Sequence, residues 1–378
     1  MRNIRILDEN YSTTRLCYKL LDDKFLDKNK KIKEEYKFKL NFPEFGIIDS
    51  KIPAKEDEKF DTYLFLPEGE RRKGEGGLRT KGYFKFSYEK KNDKWYLVED
   101  YELIKEIDLD ENLVKDYEEL PLITIITIVY NGEKYLEETI QSVINQTYPN
   151  VEYIIIDGDS EDKSVEVIKK YQNNISYWVS EKDKGLYDAM NKGARLANGD
   201  FVIFLNAGDT FVNKNSLENV VKKIKEKNKV YFTRAKVVGK NKTWIYPSFN
   251  KNIDKWIKNY LPNHQAMLFP KIFYKNYKYD LKLKITADID YKLSAKKYGY
   301  KFINEIIVVF ELGGVSTKCY NLKETLDKIK ELIYRDFYKN FRLKGCIDVL
   351  KTITKSVVCN IFGEDFLFVL IKKIKGYK

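Results

Sequence analysis

The sequence predicts an α/β protein with a mostly parallel sheet, a β-rich module before it and a helical tail after it. Three observations carry that prediction. From residue 121 onward, short apolar β-branched runs alternate with amphipathic segments. At 378 residues the chain has room for two or three domains. Its 43% hydrophobic and 15% aromatic content suffices for a packed core and argues against wholesale disorder.

The elements follow in order. Within residues 1–118, short Tyr/Phe/Leu-rich runs (36–42, 63–66, 83–88, 95–98) are separated by turns such as Lys91-Asn92-Asp93, so this part reads as a β-rich accessory module. Residues 71–77 (RRKGEGG) form a Gly-rich loop without the Gly-Lys-Ser/Thr ending of a phosphate loop, and no nucleotide chemistry is read there. The acidic stretch 108–119, closed by Pro121, reads as a linker or connecting helix. Residues 122–129 (LITIITIV) lack alternation, as expected for a strand buried on both faces. Further strands are expected at 151–156, 175–179, 201–205 and 230–238. Between them, apolar stripes at helical spacing mark helices at 133–146, 163–171, 186–197 and around 217–224. This βαβ rhythm gives a parallel sheet covered by helices, in which ligands bind beyond the carboxyl ends of the strands. Residues 322–378 read as helical, with apolar positions at helical spacing and a Lys-rich end. Such a tail either packs on the preceding domain or lies on a membrane surface.

Composition excludes several classes. One His rules out sites that need two imidazoles. Cys17, Cys319, Cys346 and Cys359 are scattered, which fits reduced thiols and excludes a four-cysteine zinc ribbon. No secretory leader is read at the N-terminus. The longest uncharged apolar run is about eight residues, against the ~20 needed to span a bilayer, so a soluble or membrane-surface protein is expected. The net charge of +12 is uneven: residues 1–120 carry 25 basic and 28 acidic side chains, and the rest 44 and 29. Residues 210–260 hold 13 Lys/Arg against three acids. That bias suits nucleic acid, an anionic membrane face, a phosphorylated substrate or mere solvation.

The chemistry sits at the strand ends. Asp157 closes the second strand and Asp209 the loop after the fourth, and clustered carboxylates repel unless a cation or donor ligand compensates. A single Asp there is usually a cap or turn residue, a reading that serves for Asp159 and Asp162. Tyr130-Asn131 beside them raises the functional odds, because an aromatic face next to a carboxylate suits a nucleobase.

The runs TIVYNGEKYLEETIQSVINQTYPNVEYIIIDGDSEDKSVEVI and EKDKGLYDAMNKGARLANGDFVIFLNAGD resemble glycosyltransferase family 2. The segments NHQAMLF (263–269), ITADIDYKL (285–293) and ELGGVS (311–316) are similar to its bacterial capsule, lipopolysaccharide and exopolysaccharide branch. The resemblance covers residues 120–318. It implies a GT-A nucleotide-sugar-binding domain at 119–318, between an accessory module at 1–118 and an extension at 319–378. It also implies an inverting enzyme that uses a nucleotide sugar, UDP-linked by preference. Position by position, Tyr130, Asn131 and Asp157 match the family's uridine-binding residues, with Asp159 in place of a glycine. Asp188 and Asn191 match polar positions of the donor-side helix. The Asp-x-Asp motif falls on Asn206-Ala207-Gly208-Asp209, so Asp209 is the expected ligand of a divalent Mn2+ or Mg2+ and Asn206 a donor contact. Asp288 matches the general base, with Ala287 where the family has Glu and Asp290 as runner-up. His264 and Gln265 match positions near the acceptor or diphosphate.

The implied reaction is in-line displacement at the anomeric carbon, with nucleoside diphosphate leaving and Asp288 taking the acceptor's proton. The implied acceptor is a glycan or lipid-linked hydroxyl in cell-surface polysaccharide synthesis. The implied setting is cytoplasmic, with peripheral contact at the inner membrane face. One alternative is a catalytically degenerate family member, or another nucleotide-binding α/β protein, acting as a scaffold. A dinucleotide enzyme is disfavoured because Tyr130-Asn131-Gly132-Glu133 stands where GxGxxG is needed. A nucleic-acid module is disfavoured by the lack of RNP aromatics or zinc spacings.

Overall fold

The computed structural model describes residues 4–19, 41–42, 46–47, 64–67, 69–99, 102–239, 242–312, 322–339, 349–358 and 360–361. Before residue 121 it forms β1 (Gly74–Gly76), β2 (Ser87–Lys91), β3 (Lys94–Glu99), β4 (Glu102–Ile107) and β5 (Glu119–Leu120), besides shorter strand pairs. The turn expected at Asn92-Asp93 joins β2 to β3, and both residues take the positive φ that a two-residue hairpin requires.

The central sheet contains β6 (Ile123–Val129), β7 (Val151–Asp157), β8 (Tyr177–Ser180), β9 (Phe201–Phe204), β10 (Thr210–Phe211), β11 (Val230–Gly239), β12 (Lys242–Tyr246), β13 (Met267–Pro270) and β14 (Tyr300–Glu311). Its order is β10-β14-β11-β13-β9-β6-β7-β8-β1, with β12 on β11. The four strands β9-β6-β7-β8 are parallel, as the sequence rhythm requires. The expected parallel sheet is extended by a mixed half: β13 runs antiparallel between β9 and β11, while β11 and β14 run parallel. The intervening helices are α1 (Leu136–Ile144), α2 (Ser164–Lys170), α3 (Leu186–Leu196) and α4 (Ser216–Val221), each inside its expected range or within a residue of it.

Every residue of β6 and β7 is buried. Because side chains alternate faces, Ile126 and Ile128 enter one core while Ile125 and Val129 enter the other. This is why the run shows no polar alternation. Register then places the chemistry: Val129 pairs with Asp157 and Asp157 with Ser180, so three strands end level and their loops open at one edge.

The boundary expected after residue 118 does not separate two cores. Leu64, Phe65, Leu66 and Phe84 pack in one core of the sheet; Leu16, Tyr88, Leu97 and Leu120 pack in the other. Strand β1 extends the sheet beside β8. Arg79, 1% exposed, donates to Glu152 of β7 at 2.5 Å and to the carbonyls of Leu64 and Leu196.

After α5 (Ala287–Tyr298) and β14, the chain forms α6 (Leu322–Ile333), a π-helical turn at Tyr334–Lys339 and a helix at 349–358. Glu331 of α6 accepts the backbone N–H groups of Lys284, Ile285 and Thr286 at 2.7–3.1 Å. A carboxylate on those donors, just ahead of α5, also complements the positive end of its dipole. Thr325 and Ser356 hydroxyls meet at 2.8 Å, tying α6 to the last helix. The expected Lys-rich end at 362–378, Cys319, Cys346, Cys359 and residues 313–316 lie outside the described residues. Among the described residues, no helix is long and apolar enough to cross a membrane.

Candidate active site

A cleft of about 1730 Å³ opens at the carboxyl ends of the parallel strands. That is larger than the ~300–1,000 Å³ typical of a single-ligand pocket, and leaves room for two substrates. Tyr130, Asn131, Asn206, Asp209, His264, Gln265 and Asp288 all line it.

Tyr130 follows β6 with 65% of its surface exposed, a ring face open for stacking. Asn131 takes a positive φ of 51° and spends its side-chain oxygen on the N–H of Glu161 at 2.9 Å. It therefore braces the two strand-end loops. Asp157, expected to contact the base, is buried and is not among the residues lining the cleft. Its carboxylate is filled by the Ser160 hydroxyl (2.5 Å), the Ser160 N–H (3.0 Å) and the Ser180 hydroxyl (2.6 Å). Asp159, at φ 70°, turns into the cleft instead, paired with Arg71 at 2.9 Å and Lys73 at 2.7 Å. The loop read without nucleotide chemistry thus supplies Arg71 to the cleft, with Lys73 behind it on Asp159. Asp183, after β8, lines the same end, and burial pushes its carboxyl up against the hydrogen bond from Gly185 and the charge of Lys192. A Cβ at Gly158 would meet its Oδ2 at 2.5 Å, which explains that glycine.

Asp188 and Asn191 do not line the cleft either. The Asp188 carboxylate accepts the Lys184 N–H at 3.0 Å and holds the turn into α3. The Asn191 amide binds both the N–H and the carbonyl of Tyr279, at 2.8 and 2.9 Å.

Gly208 has φ 97°, a conformation that disfavours the carboxylate-bearing residue the motif usually has there. Asp209 is 6% exposed, and burial drives its carboxyl well up; hydrogen bonds from Glu311 N–H and the Gln265 side chain oppose this, while the Glu311 charge adds to it. Asn206 Oδ1 is buried without a hydrogen-bond partner among the described residues. These are hard oxygen donors, the set that Mg2+ or Mn2+ takes when substrate phosphates complete the shell. Among the described residues, no group of three or more His, Cys, Asp or Glu gathers around a metal position, and the oxygen donors they bring to this end are Asp209, Glu311 and the Asn206 amide.

On the opposite wall, α5 presents Asp288. Its Oδ2 lies 3.0 Å from the Lys292 ammonium, and its Oδ1 accepts the Tyr187 hydroxyl at 3.3 Å. Burial would raise this carboxyl, but Lys292, His264 and the Tyr187 bond outweigh it and hold it below the usual carboxylate range. Asp290, two residues on, is turned through about 200° around the helix, and is buried off the cleft. His264 is 4% exposed, with Nε2 2.7 Å from the Tyr279 hydroxyl. Burial and the charge of Lys292 push it down to about 3, so it is neutral at working pH.

The model of glycosyl transferase family 2 matches residues 124–285. An uncharacterized glycosyltransferase of Mycobacterium tuberculosis H37Rv is 33% identical over 183 residues, 46% of this chain and 69% of that protein. The chain belongs to glycosyltransferase family 2. An uncharacterized glycosyltransferase of Rickettsia typhi is similar over a longer span, 28% identical over 283 residues, covering 68% of this chain and 83% of that one. The crystal structure of S. aureus TarS 1–349 in complex with UDP-GlcNAc is 17% identical, spans 61% of this chain and 72% of that one, and superposes with a TM-score of 0.47.

The cleft is also lined by residues that sequence reasoning did not single out. Lys292 was legible as the i+4 partner of Asp288. Glu311 opens the ELGGVS segment, and Asp183 falls in a loop that the strand-end rule already marked. Nothing in the sequence signals that Arg71 reaches Asp159 across 88 positions.

Proposed function

We propose that this transferase moves a sugar from a UDP-linked donor to a hydroxyl of a glycan or lipid-linked acceptor, with inversion, in cell-surface polysaccharide synthesis. The observation that carries this is the opposition, across one cleft, of strand-end groups that line it (Tyr130, Asp159, Asp209) and an Asp288 carboxylate held ionised by Lys292.

In this reading the Tyr130 ring stacks on the uracil, and Asp159 or Asp183 accepts its imide N–H. Asp209, Glu311 and Asn206 hold a divalent cation, which when bound neutralises charge on the leaving diphosphate. Asp288 accepts the proton of the attacking hydroxyl, a role worth roughly 10²–10⁴-fold. Its depressed pKa keeps it ionised at neutral pH, and Tyr187 fixes its second oxygen. Neutral His264 takes no proton in the cycle; with Tyr279 it shapes the wall behind the reacting groups.

Peripheral attachment to the inner membrane face belongs to the same proposal. Leu350, Ile353 and Val357 of the helix at 349–358, and Ile361 after it, are exposed. This apolar stripe beside lysines suits an interfacial helix.

A screen of nucleotide sugars, scored by thermal stabilisation and diphosphate release, tests the donor. Selective response to UDP-sugars supports the reading; response to none removes the transferase activity from this chain.

A further inference from the structure

The loop ahead of β1 is held in an unfavourable shape. Arg71 takes φ 54°, a left-handed conformation that a residue with a Cβ keeps only where its surroundings enforce it. Contacts on both sides do so. The Lys182 N–H donates to the Glu70 carbonyl at 3.1 Å, and the Lys73 N–H to the Ser180 carbonyl at 2.8 Å. Arg72 grips the buried Glu181 carboxylate through Nε at 2.9 Å and Nη2 at 2.5 Å. The Arg71 side chain, 59% exposed, consequently lines the cleft, with Nη2 2.9 Å from Asp159 Oδ2. Asp159 is itself left-handed at φ 70°, with Lys73 on its other oxygen at 2.7 Å. Asn131, at φ 51°, joins the same corner: its N–H donates to the Ser160 hydroxyl at 2.8 Å, which sets Tyr130 beside the Asp159 loop. Among the described residues, three of the six non-glycine positions with positive φ thus line one corner of the cleft. Strained backbone of this kind clusters at active sites and ligand clamps. A largely exposed ion pair stabilises a fold too little to account for it.

The pair sets a hydrogen-bond acceptor beside a donor. The Asp159 carboxylate only accepts; the Arg71 guanidinium carries five N–H groups, more than its contact with Asp159 engages. Uracil presents the complement, an imide N–H next to a carbonyl oxygen. Cytosine has the same size but reverses both positions, with a ring-nitrogen acceptor next to an amino donor. We propose that Arg71 is a specificity-determining residue of the donor site: Asp159 takes the imide N–H, Arg71 donates to the neighbouring carbonyl, and together they select uracil over cytosine. This rests on the reading of Tyr130 and Asp159 as the place of the base. It adds to that reading a residue outside the stretch 124–285 that matches the family model.

The test titrates the full chain, in Mn2+, with UDP and with CDP by calorimetry. The parent should prefer UDP at least tenfold. Arg71→Met should weaken UDP at least tenfold and leave CDP within about threefold, so that the preference disappears while retained CDP binding shows the pocket intact. Arg71→Gly should do the same, and because glycine accepts the positive φ, its loss reports the missing side chain and not a rearranged loop. Lys182, another cation lining this end, lies 3.4 Å from Glu70, and Lys182→Met should leave the preference in place. Equal affinity of the parent for UDP and CDP would overturn the proposal while sparing the donor reading. So would an unchanged preference in Arg71→Gly, an equal loss of both nucleotides in that variant, or a preference that disappears in Lys182→Met. Failure of the parent to bind UDP would overturn the donor reading, and the role of Arg71 with it.

Discussion

Replacing Asp288 with Asn removes the proposed base while keeping its shape. The new amide oxygen can still accept the Tyr187 hydroxyl at the 3.3 Å position, but the 3.0 Å ion pair with Lys292 is lost. Two unit charges about 4 Å apart attract by roughly 4 kcal/mol at an effective dielectric near 20, much of it offset by the cost of desolvating them. With Asp288 still 22% exposed, the net loss of fold stability should be about 1–3 kcal/mol, too little to unfold a well-packed core. The catalytic loss should be larger. A general base contributes roughly 10²–10⁴ in rate, or about 3–5.5 kcal/mol of barrier. Steady-state transfer kinetics should show kcat falling by that factor, with UDP affinity within about twofold of the parent, as a role confined to the transition state requires. Lys292→Met is the companion. It leaves the carboxylate but removes the cation that outweighs burial, so the acid limb of kcat/KM should move to higher pH. An Asp288→Asn enzyme that retains parental kcat would refute the assignment.

Other predictions follow from the same contacts. His264 is depressed to about 3 in the fold, so below the unfolded pKa near 6.5 only the unfolded chain takes up its proton. Stability should therefore fall by about 1.4 kcal/mol per pH unit on acidification from 6.5, and His264→Gln should remove that component from denaturation curves measured at pH 5 and 7. Arg79→Met leaves Glu152 buried without its cation and should cost about 3–5 kcal/mol by urea denaturation; a loss under about 1 kcal/mol would show the pair to be dispensable. Chelation should lower transfer at least tenfold and Mn2+ restore it. Asp209→Asn should weaken Mn2+ binding, followed by calorimetry in the presence of UDP, by a similar factor; unchanged affinity would take Asp209 out of the metal site.

Much of the catalytic half was legible in the sequence. The buried strands declared themselves by β-branched runs without alternation, and the strand-end rule led to Tyr130, Asn206, Asp209 and the loop that holds Asp183. What stayed hidden depended on conformation or distance. The sequence Asp157-Gly158-Asp159-Ser160 does not say which acid lines the cleft; the positive φ of Asp159 and two serine hydroxyls on Asp157 decide it. The roles of Asp188 and Asn191 turn on backbone bonds, one to Lys184 and two to Tyr279. The inserted antiparallel strand β13 is too short for its run to reveal its direction. Fusion of the N-terminal residues into both cores depends on contacts such as Arg79 to Glu152, and the anchoring of α5 depends on Glu331, 45 or more positions away in sequence. Neither leaves a local signature.

The central claim is that the strand-end half of the cleft binds a uridine nucleotide. Calorimetric titration of UDP with Mn2+ into the full chain tests it most directly. The account predicts one saturable site per chain, weakened by Tyr130→Ala in line with the ~1–3 kcal/mol that stacking a base on an aromatic ring contributes. Absence of binding with both UDP and Mn2+ present, or affinity indifferent to Tyr130, would contradict it.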